Sequence, residues 1–179
     1  MADELAESLI LQGYDARRER RTADAAVHFS RAVERCRVLG EALLLARALT
    51  GLGQIERDLG NTSAAAGHYE EAIAIYRGAA DPLAVAHAVR HLADIHRNRG
   101  EFDEAAACYQ ESLDIYRNHS ETPPLDLANA LRGYALLKGQ TGDAGSSAQL
   151  WREAGALYES AGVEAGVTES RAQIARLGA

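Results

Sequence analysis

The chain repeats itself with a period of 40 residues. Segment 52–55 (Leu-Gly-Gln-Ile) returns as 92–95 (Leu-Ala-Asp-Ile), and segment 72–77 returns as 112–117 with its Ile-Tyr-Arg ending unchanged. A fixed period of this length is typical of stacked helical hairpins, because one hairpin cannot bury its own apolar face and needs its neighbours to do so. The repeat therefore predicts an all-α solenoid of antiparallel helical hairpins.

Within each period the apolar residues recur at steps of three and four, which is the spacing of one helical face. In the second period Leu45 and Leu49 begin such a face, on a helix predicted at about 41–59. A second helix follows and ends near Gly78. Pro82 suits the first turn of the next helix, where its missing N–H has no intrahelical partner to lose.

This pattern divides the chain into four hairpins and a last helix, which we expect to form a single domain over 1–179. The predicted units are 1–40, 41–80, 81–121 and 122–162, with the last helix at 163–179. A single amphipathic helix at that position is interpreted as a cap on the stack. The alternative is that the chain is part of a longer array.

Composition and charge narrow the class of partner. The formal net charge of −7 argues against a general nucleic-acid binder, since phosphate contacts require a basic surface. The first residues are acidic and no segment is apolar over the length of a membrane span, so we expect a cytoplasmic protein without a membrane partner. Cys36 and Cys108 stand alone, which offers no disulfide framework and no zinc-binding pair.

The chain resembles the tetratricopeptide repeat family along essentially its whole length. First helices carry a large residue followed by a small one, at Leu52-Gly53, Leu92-Ala93 and Tyr134-Ala135. The turns carry Gly60, Gly100 and Gly142. Second helices alternate small and aromatic residues, at Ala65, Tyr69 and Ala72, at Ala105, Tyr109 and Ser112, and at Ser147, Trp151 and Ala154.

The resemblance implies a fold and a way of working. It implies a right-handed superhelix whose first helices line a concave groove, and a protein that binds a peptide or another protein without catalysis. Units near 40 residues are similar to those of family members that include bacterial peptide-sensing regulators and scaffold proteins. A peptide-sensing regulatory domain and a self-associating structural scaffold are therefore the alternatives to a simple binding module.

The groove predicted from this resemblance is basic, although the protein is acidic. Its candidate residues are Arg17, Arg47, Gln54, Arg57, His87, Arg90, His91, Arg97, Asn129 and Arg132. Arginine presents a planar fork that suits carboxylates, so we expect an acidic peptide or protein segment as the partner. The alternative is a solvated helix face whose arginines are neutralised by neighbours such as Asp58 and Asp94.

No residue set points to chemistry. His87, His91 and Asp94 share one helical flank, but no further ligand is evident, so we predict no metal site and no cofactor. The sequence contains no nucleophile with a base and an orienting acid, and no glycine-rich phosphate loop. We therefore expect no enzymatic activity.

Overall fold

A computed structural model describes the backbone of residues 2–178 and the side chains of residues 5–178. All regular secondary structure in that part of the chain is α-helical. The helices are α1 (Ala2–Arg18), α2 (Thr22–Leu39), α3 (Ala42–Asp58), α4 (Thr62–Gly78), α5 (Pro82–Arg99), α6 (Phe102–Asn118), α7 (Pro124–Gln140), α8 (Ala144–Ser160) and α9 (Glu164–Arg176). The predicted all-α helical-repeat class is confirmed.

Most of these helices end at a residue with left-handed backbone. Gly60, Gly100 and Gly142 have φ values of 84°, 77° and 83°, at the turns where the sequence predicted glycine. Arg20 and Ala80 adopt the same conformation, with φ of 60° and 54°. A side chain in this region costs roughly 1–2 kcal/mol, so these two turns are strained where the glycine turns are not.

The longest connection is 119–123, between α6 and α7. Tyr134 follows Leu92 by 42 positions instead of 40, so the chain has two added residues between these equivalent positions. Pro123 and Pro124 stop the preceding segment and begin α7. The insertion is therefore absorbed in a loop, and α7 keeps its register.

The helices form two compact units, Met1–Ala88 and Val89–Ala179. In unit 1, α1 packs on α2 and α3, α2 packs on α3, and α3 packs on α4. Rings from the second helices fill the space that glycines leave on the first helices. Phe29 lies against both Gly13 and Gly51, and Tyr69 lies against Gly53. A Cβ atom on Gly51 would come within 2.3 Å of the Phe29 ring.

Unit 2 repeats this arrangement, with α7 packed on α6 and α8, and α8 packed on α9. Tyr109 lies against Gly133, and Tyr158 lies against Gly166. Trp151 is buried, as are Tyr69 and Tyr109, so the aromatic residues of the second-helix pattern lie in the core. The small residue beside each ring lets the helix axes approach closely.

Neighbouring second helices are linked by a repeated ion pair. Arg37 on α2 donates to Glu71 on α4 at 2.7 Å, within unit 1. Arg117 on α6 donates to Glu153 on α8, also at 2.7 Å, within unit 2. These pairs occupy equivalent repeat positions, so each acid faces an arginine of the preceding second helix.

Helix α9 differs from the other first helices at a core position. Its Arg171 stands where Leu49, Val89 and Leu131 are buried, and Arg171 is exposed and lies 3.5 Å from Glu159. A charged residue at this position suits a surface that faces water. The capping role of α9 remains a prediction.

Candidate binding site on the first helices

The predicted groove residues of unit 1 lie on α1 and α3, and salt bridges join the two helices. Arg17 on α1 donates to Asp58 on α3 from Nε at 3.3 Å and from Nη2 at 3.1 Å. Arg47 on α3 makes a single contact of 3.4 Å with Glu7 on α1. All four side chains are 37–54% exposed. We call Glu7, Tyr14, Arg17, Arg47 and Asp58 the unit 1 face.

Tyr14 lies close to both of these arginines. Its ring packs edge-on against Phe29, with the ring centroids 5.0 Å apart. Burial raises the pKa of the Tyr14 hydroxyl, while the positive charges of Arg47 and Arg17 act in the opposite direction. The unit 1 face therefore places a half-buried aromatic ring near two guanidinium groups that come from different helices.

The other predicted residues of unit 1 are less accessible. Gln54 is buried, with 8% of its surface exposed, and His87 is half-buried. Arg57 is half-buried and donates to Asp58 at 3.0 Å, so Asp58 serves two arginines. Of the sequence candidates in unit 1, Arg17 and Arg47 are the ones that combine exposure with weakly held partners.

In unit 2 the predicted residues of α5 form a connected cluster. Arg90 is only 9% exposed; its Nη2 lies 2.9 Å from Nε2 of His91, and its Nη1 lies 3.6 Å from the Asp94 carboxylate. Tyr109 donates to Asp94 at 2.5 Å and accepts a longer bond of 3.4 Å from Arg97 Nε. This cluster ties α5 to α6.

The predicted residues of α7 are also engaged. Arg132 donates from Nε and Nη2 to the two carboxylate oxygens of Glu169 on α9, both at 2.7 Å. Its hydrogen bonds to Glu169 raise the pKa of the Arg132 guanidinium. Asn129 accepts a hydrogen bond of 2.8 Å from the hydroxyl of Tyr158. We call Arg90, Asp94, Asn129, Arg132 and Glu169 the unit 2 face.

His91 and Arg90 are buried, so they contribute more to packing than to a surface that could donate hydrogen bonds to a partner. His91 is 6% exposed and stands at the repeat position that Gly51 and Gly133 hold in α3 and α7. Those glycines face rings of the preceding second helix. No group of three histidine, cysteine or acidic side chains among the residues with described side chains is arranged to hold a metal ion.

Sequence reasoning missed a set of tyrosine hydroxyls that reach the first helices. Tyr76 and Tyr158 occupy equivalent positions of the second helices, where their spacing fits the apolar stripe. The Tyr76 hydroxyl lies 3.5 Å from the Thr50 hydroxyl, and Tyr158 bonds Asn129. The signal was present in the sequence, because a repeated tyrosine, unlike phenylalanine, needs a partner for its hydroxyl when buried.

Each face contains acids that match its arginines. In unit 1, Asp58 and Glu7 oppose Arg17 and Arg47. In unit 2, Glu169 opposes Arg132. The faces are therefore mixed in charge, and their availability to a partner depends on how firmly each internal pair is held.

Comparison with known proteins supports the helical-repeat architecture. The solved structure titled "Crystal Structure of the Apo Form of RapI" matches with a TM-score of 0.78 at 15% sequence identity. The match covers 88% of this chain and 57% of that chain, so this chain spans little more than half the length of RapI. None of the curated protein sequences compared with the chain matches it.

In the part of the chain that the structure describes, every helix is too short or too polar to span a bilayer.

Two family models match the chain itself. A model described as tetratricopeptide repeat matches residues 4–78, and a second model with the same description matches residues 86–119. Together they cover more than half of the chain, including segments of both units. This chain belongs to the tetratricopeptide repeat family.

Proposed function

We propose that this protein is a non-catalytic interaction module that binds an extended acidic segment of another protein on the unit 1 face. The observation that carries the proposal is the position of Arg17 and Arg47. They come from different helices, both lie near Tyr14, and both are partly exposed. Membership of the tetratricopeptide repeat family supports a protein-binding role in general. The two arginines supply the groups that bind acidic side chains.

The internal partners of these arginines can be exchanged at low cost. Exposed ion pairs contribute about 0–1 kcal/mol, since water solvates the separated charges well. The contact between Arg47 and Glu7 is a single bond of 3.4 Å. A carboxylate of the ligand can therefore replace Glu7 or Asp58, and a planar guanidinium can hold it with two parallel hydrogen bonds. The Tyr14 ring offers apolar contact between the two positions.

The unit 2 face is less suited to such an exchange. Arg90 is buried, and removing a partner from a buried charge costs about 3–5 kcal/mol. Arg132 already holds Glu169 with two short bonds. We infer that Arg90 chiefly stabilises unit 2, and that binding by Arg90, Arg97, Asn129 and Arg132 is secondary to binding by unit 1.

The test is selection of random 12-residue peptides on the intact chain, followed by affinity measurement with fluorescence anisotropy. The variants are Arg17→Gln with Arg47→Gln, and, as a matched control, Arg37→Gln. Arg37 is also an exposed arginine in an interhelical pair, but it lies on the second helices. We expect selected peptides rich in Asp and Glu, an affinity loss of about tenfold or more in the double variant, and no change in the control.

Selected peptides without acidic residues would contradict the proposal, as would equal affinities for the double variant and the wild type. Circular dichroism of both variants checks that the helices are retained. A cytoplasmic location and the lack of a nucleic-acid or membrane partner also remain predictions.

A further inference from the structure

Helix α2 carries an exposed stripe of side chains whose charges are complementary to those of an identical stripe that runs in the opposite direction. Val27, Arg31, Glu34 and Val38 are spaced by four, three and four residues, so they lie on one side of the helix. All four are exposed, and Val27 and Val38 are 55% and 86% exposed. We call these four residues the α2 stripe. Its order is apolar, basic, acidic, apolar.

The repeat architecture does not require these residues. At the position of Val38 the later second helices have Gly78, Asn118 and Ser160, which are small or polar. At the position of Arg31 they have acids, among them Glu71 and Glu153, whose partners are arginines of the preceding second helix. Because α2 is the first of the second helices in the described part of the chain, its stripe faces no such partner there.

The charged residues of the stripe are unpaired in the described part of the chain. Arg31 and Glu34 make no hydrogen bond or ion pair with any residue whose side chain the structure describes. Beside them lies an open cavity of about 300 Å³ between α1 and α2. Leu5 and Leu39 line it, and they are 47% and 38% exposed. An apolar surface of this kind, flanked by unpaired charges, is typical of an interface.

We propose that the α2 stripe binds the α2 stripe of a second copy of this chain, with the two helices antiparallel about a two-fold axis. Spacing of four and three residues is that of a helix–helix seam. In an antiparallel pair, Arg31 meets Glu34 of the other copy, and Glu34 meets the other Arg31. At one end Val38 of the first copy contacts Val27 of the second, and at the other end Val27 of the first copy contacts Val38 of the second. The same surface on the two copies is thus self-complementary, as a two-fold interface requires.

The leucines beside the stripe extend this contact. Leu5 on α1 and Leu39 at the end of α2 flank the cavity and become covered when a second helix lies along α2. The stripe spans about 17 Å at the helical rise per residue, which predicts a small interface and a reversible dimer. The dimer leaves Arg17 and Arg47 available to bind a peptide, because neither belongs to the stripe.

Charge reversal tests the two-fold pairing by sedimentation equilibrium over an approximately hundredfold concentration range. We expect the wild type to dimerise reversibly, and Arg31→Glu and Glu34→Arg each to weaken the dimer about tenfold or more, because each puts two like-charge contacts in the interface. The double variant Arg31→Glu with Glu34→Arg should restore it. An equimolar mixture of the two single variants should form a heterodimer, since all contacts are then of opposite sign.

Apolar-to-charged variants test whether the contact lies on the α2 stripe. Val38→Asp should weaken the dimer, while Leu43→Asp, at an exposed leucine of α3 outside the stripe, should not. A wild type that stays monomeric would overturn the proposal. Single variants that still dimerise, or a mixture that stays monomeric, would also overturn it. Peptide affinity should be unchanged in Arg31→Glu, so this inference and the proposed function fail independently.

Discussion

Arg132 on α7 and Glu169 on α9 are joined by two parallel hydrogen bonds, both 2.7 Å long. This is the forked geometry in which arginine binds a carboxylate most specifically. Within unit 2 an acid of the chain itself holds the guanidinium, and on the unit 1 face we propose that a partner supplies the acid. The pair is therefore an internal example of the proposed recognition.

Removing this ion pair should lower the stability of the fold by a small but measurable amount. Glu169→Gln keeps the shape of the side chain and removes its charge, and both partners are partly exposed, at 33–41%. We expect the free energy of unfolding to fall by about 0.5–1 kcal/mol. Urea denaturation measures it, with Glu159→Gln as control, because Glu159 makes only a 3.5 Å contact between side chains that are 70–74% exposed. An equal loss in both variants would contradict the distinction.

A methyl group on Gly51 should damage the packing of unit 1. Its Cβ would lie 2.3 Å from the Phe29 ring, and the ring is fully buried. We expect Gly51→Ala to destabilise the fold by roughly 1–3 kcal/mol through overpacking. Gly67→Ala is the control, since no atom other than its chain neighbours and its own helix backbone lies within 4 Å of its Cβ, and there we expect a gain of about 0.5–1 kcal/mol from helix propensity. Thermal unfolding distinguishes the two signs.

Replacing Ala80 by glycine should stabilise the fold, because most of the other left-handed turn positions in the described part of the chain already carry glycine. Its φ of 54° strains an alanine, whereas Gly60 holds φ of 84° at an equivalent kind of turn. We expect Ala80→Gly to raise the free energy of unfolding by about 0.5–1 kcal/mol, and Gly60→Ala to lower it by about 1 kcal/mol. Loss of stability in Ala80→Gly would show that the strain has been relieved elsewhere.

Buried tyrosines should make the fold sensitive to alkaline pH. Burial first of all, and then the Asp94 carboxylate, raises the pKa of Tyr109 above its ordinary value near 10. The folded state therefore keeps a proton that the unfolded state loses, and stability falls as the pH rises past about 10. Urea denaturation between about pH 8 and pH 11 should show a shallower fall in Tyr109→Phe. An unchanged slope would contradict this origin.

Much of the fold could be predicted because the repeat reports the same packing several times. The predicted helix at about 41–59 is observed as Ala42–Asp58, and the predicted end near Gly78 and start at Pro82 agree with α4 and α5. Glycine turns and ring positions recur in register, so errors at one hairpin are corrected by the others. The weakest prediction concerns α9, because the repeat does not decide whether it is a cap or part of a longer array.

The candidate site could be predicted only in part. Repeat spacing put Arg17 and Arg47 on first helices, and Asp58 was named as a neighbour that could neutralise these arginines, but the sequence did not predict that Arg17 pairs with Asp58 or that Arg47 pairs with Glu7. Such pairing depends on side-chain rotamers and on the offset between helices, which have no period in the sequence. The burial of Arg90 was missed for the same reason: an arginine on an apparently polar face bends inward to His91 and Asp94.

The most direct test of binding on the unit 1 face is the arginine Nε–Hε NMR spectrum of the chain during titration with a selected acidic peptide. We expect the Nε–Hε resonances of Arg17 and Arg47 to shift together and saturate at one peptide per chain, while that of Arg37 stays unchanged. Arg→Gln variants at these three positions assign the resonances. Shifts at Arg37 without shifts at Arg17 and Arg47 would place binding on the second helices and contradict the proposed site.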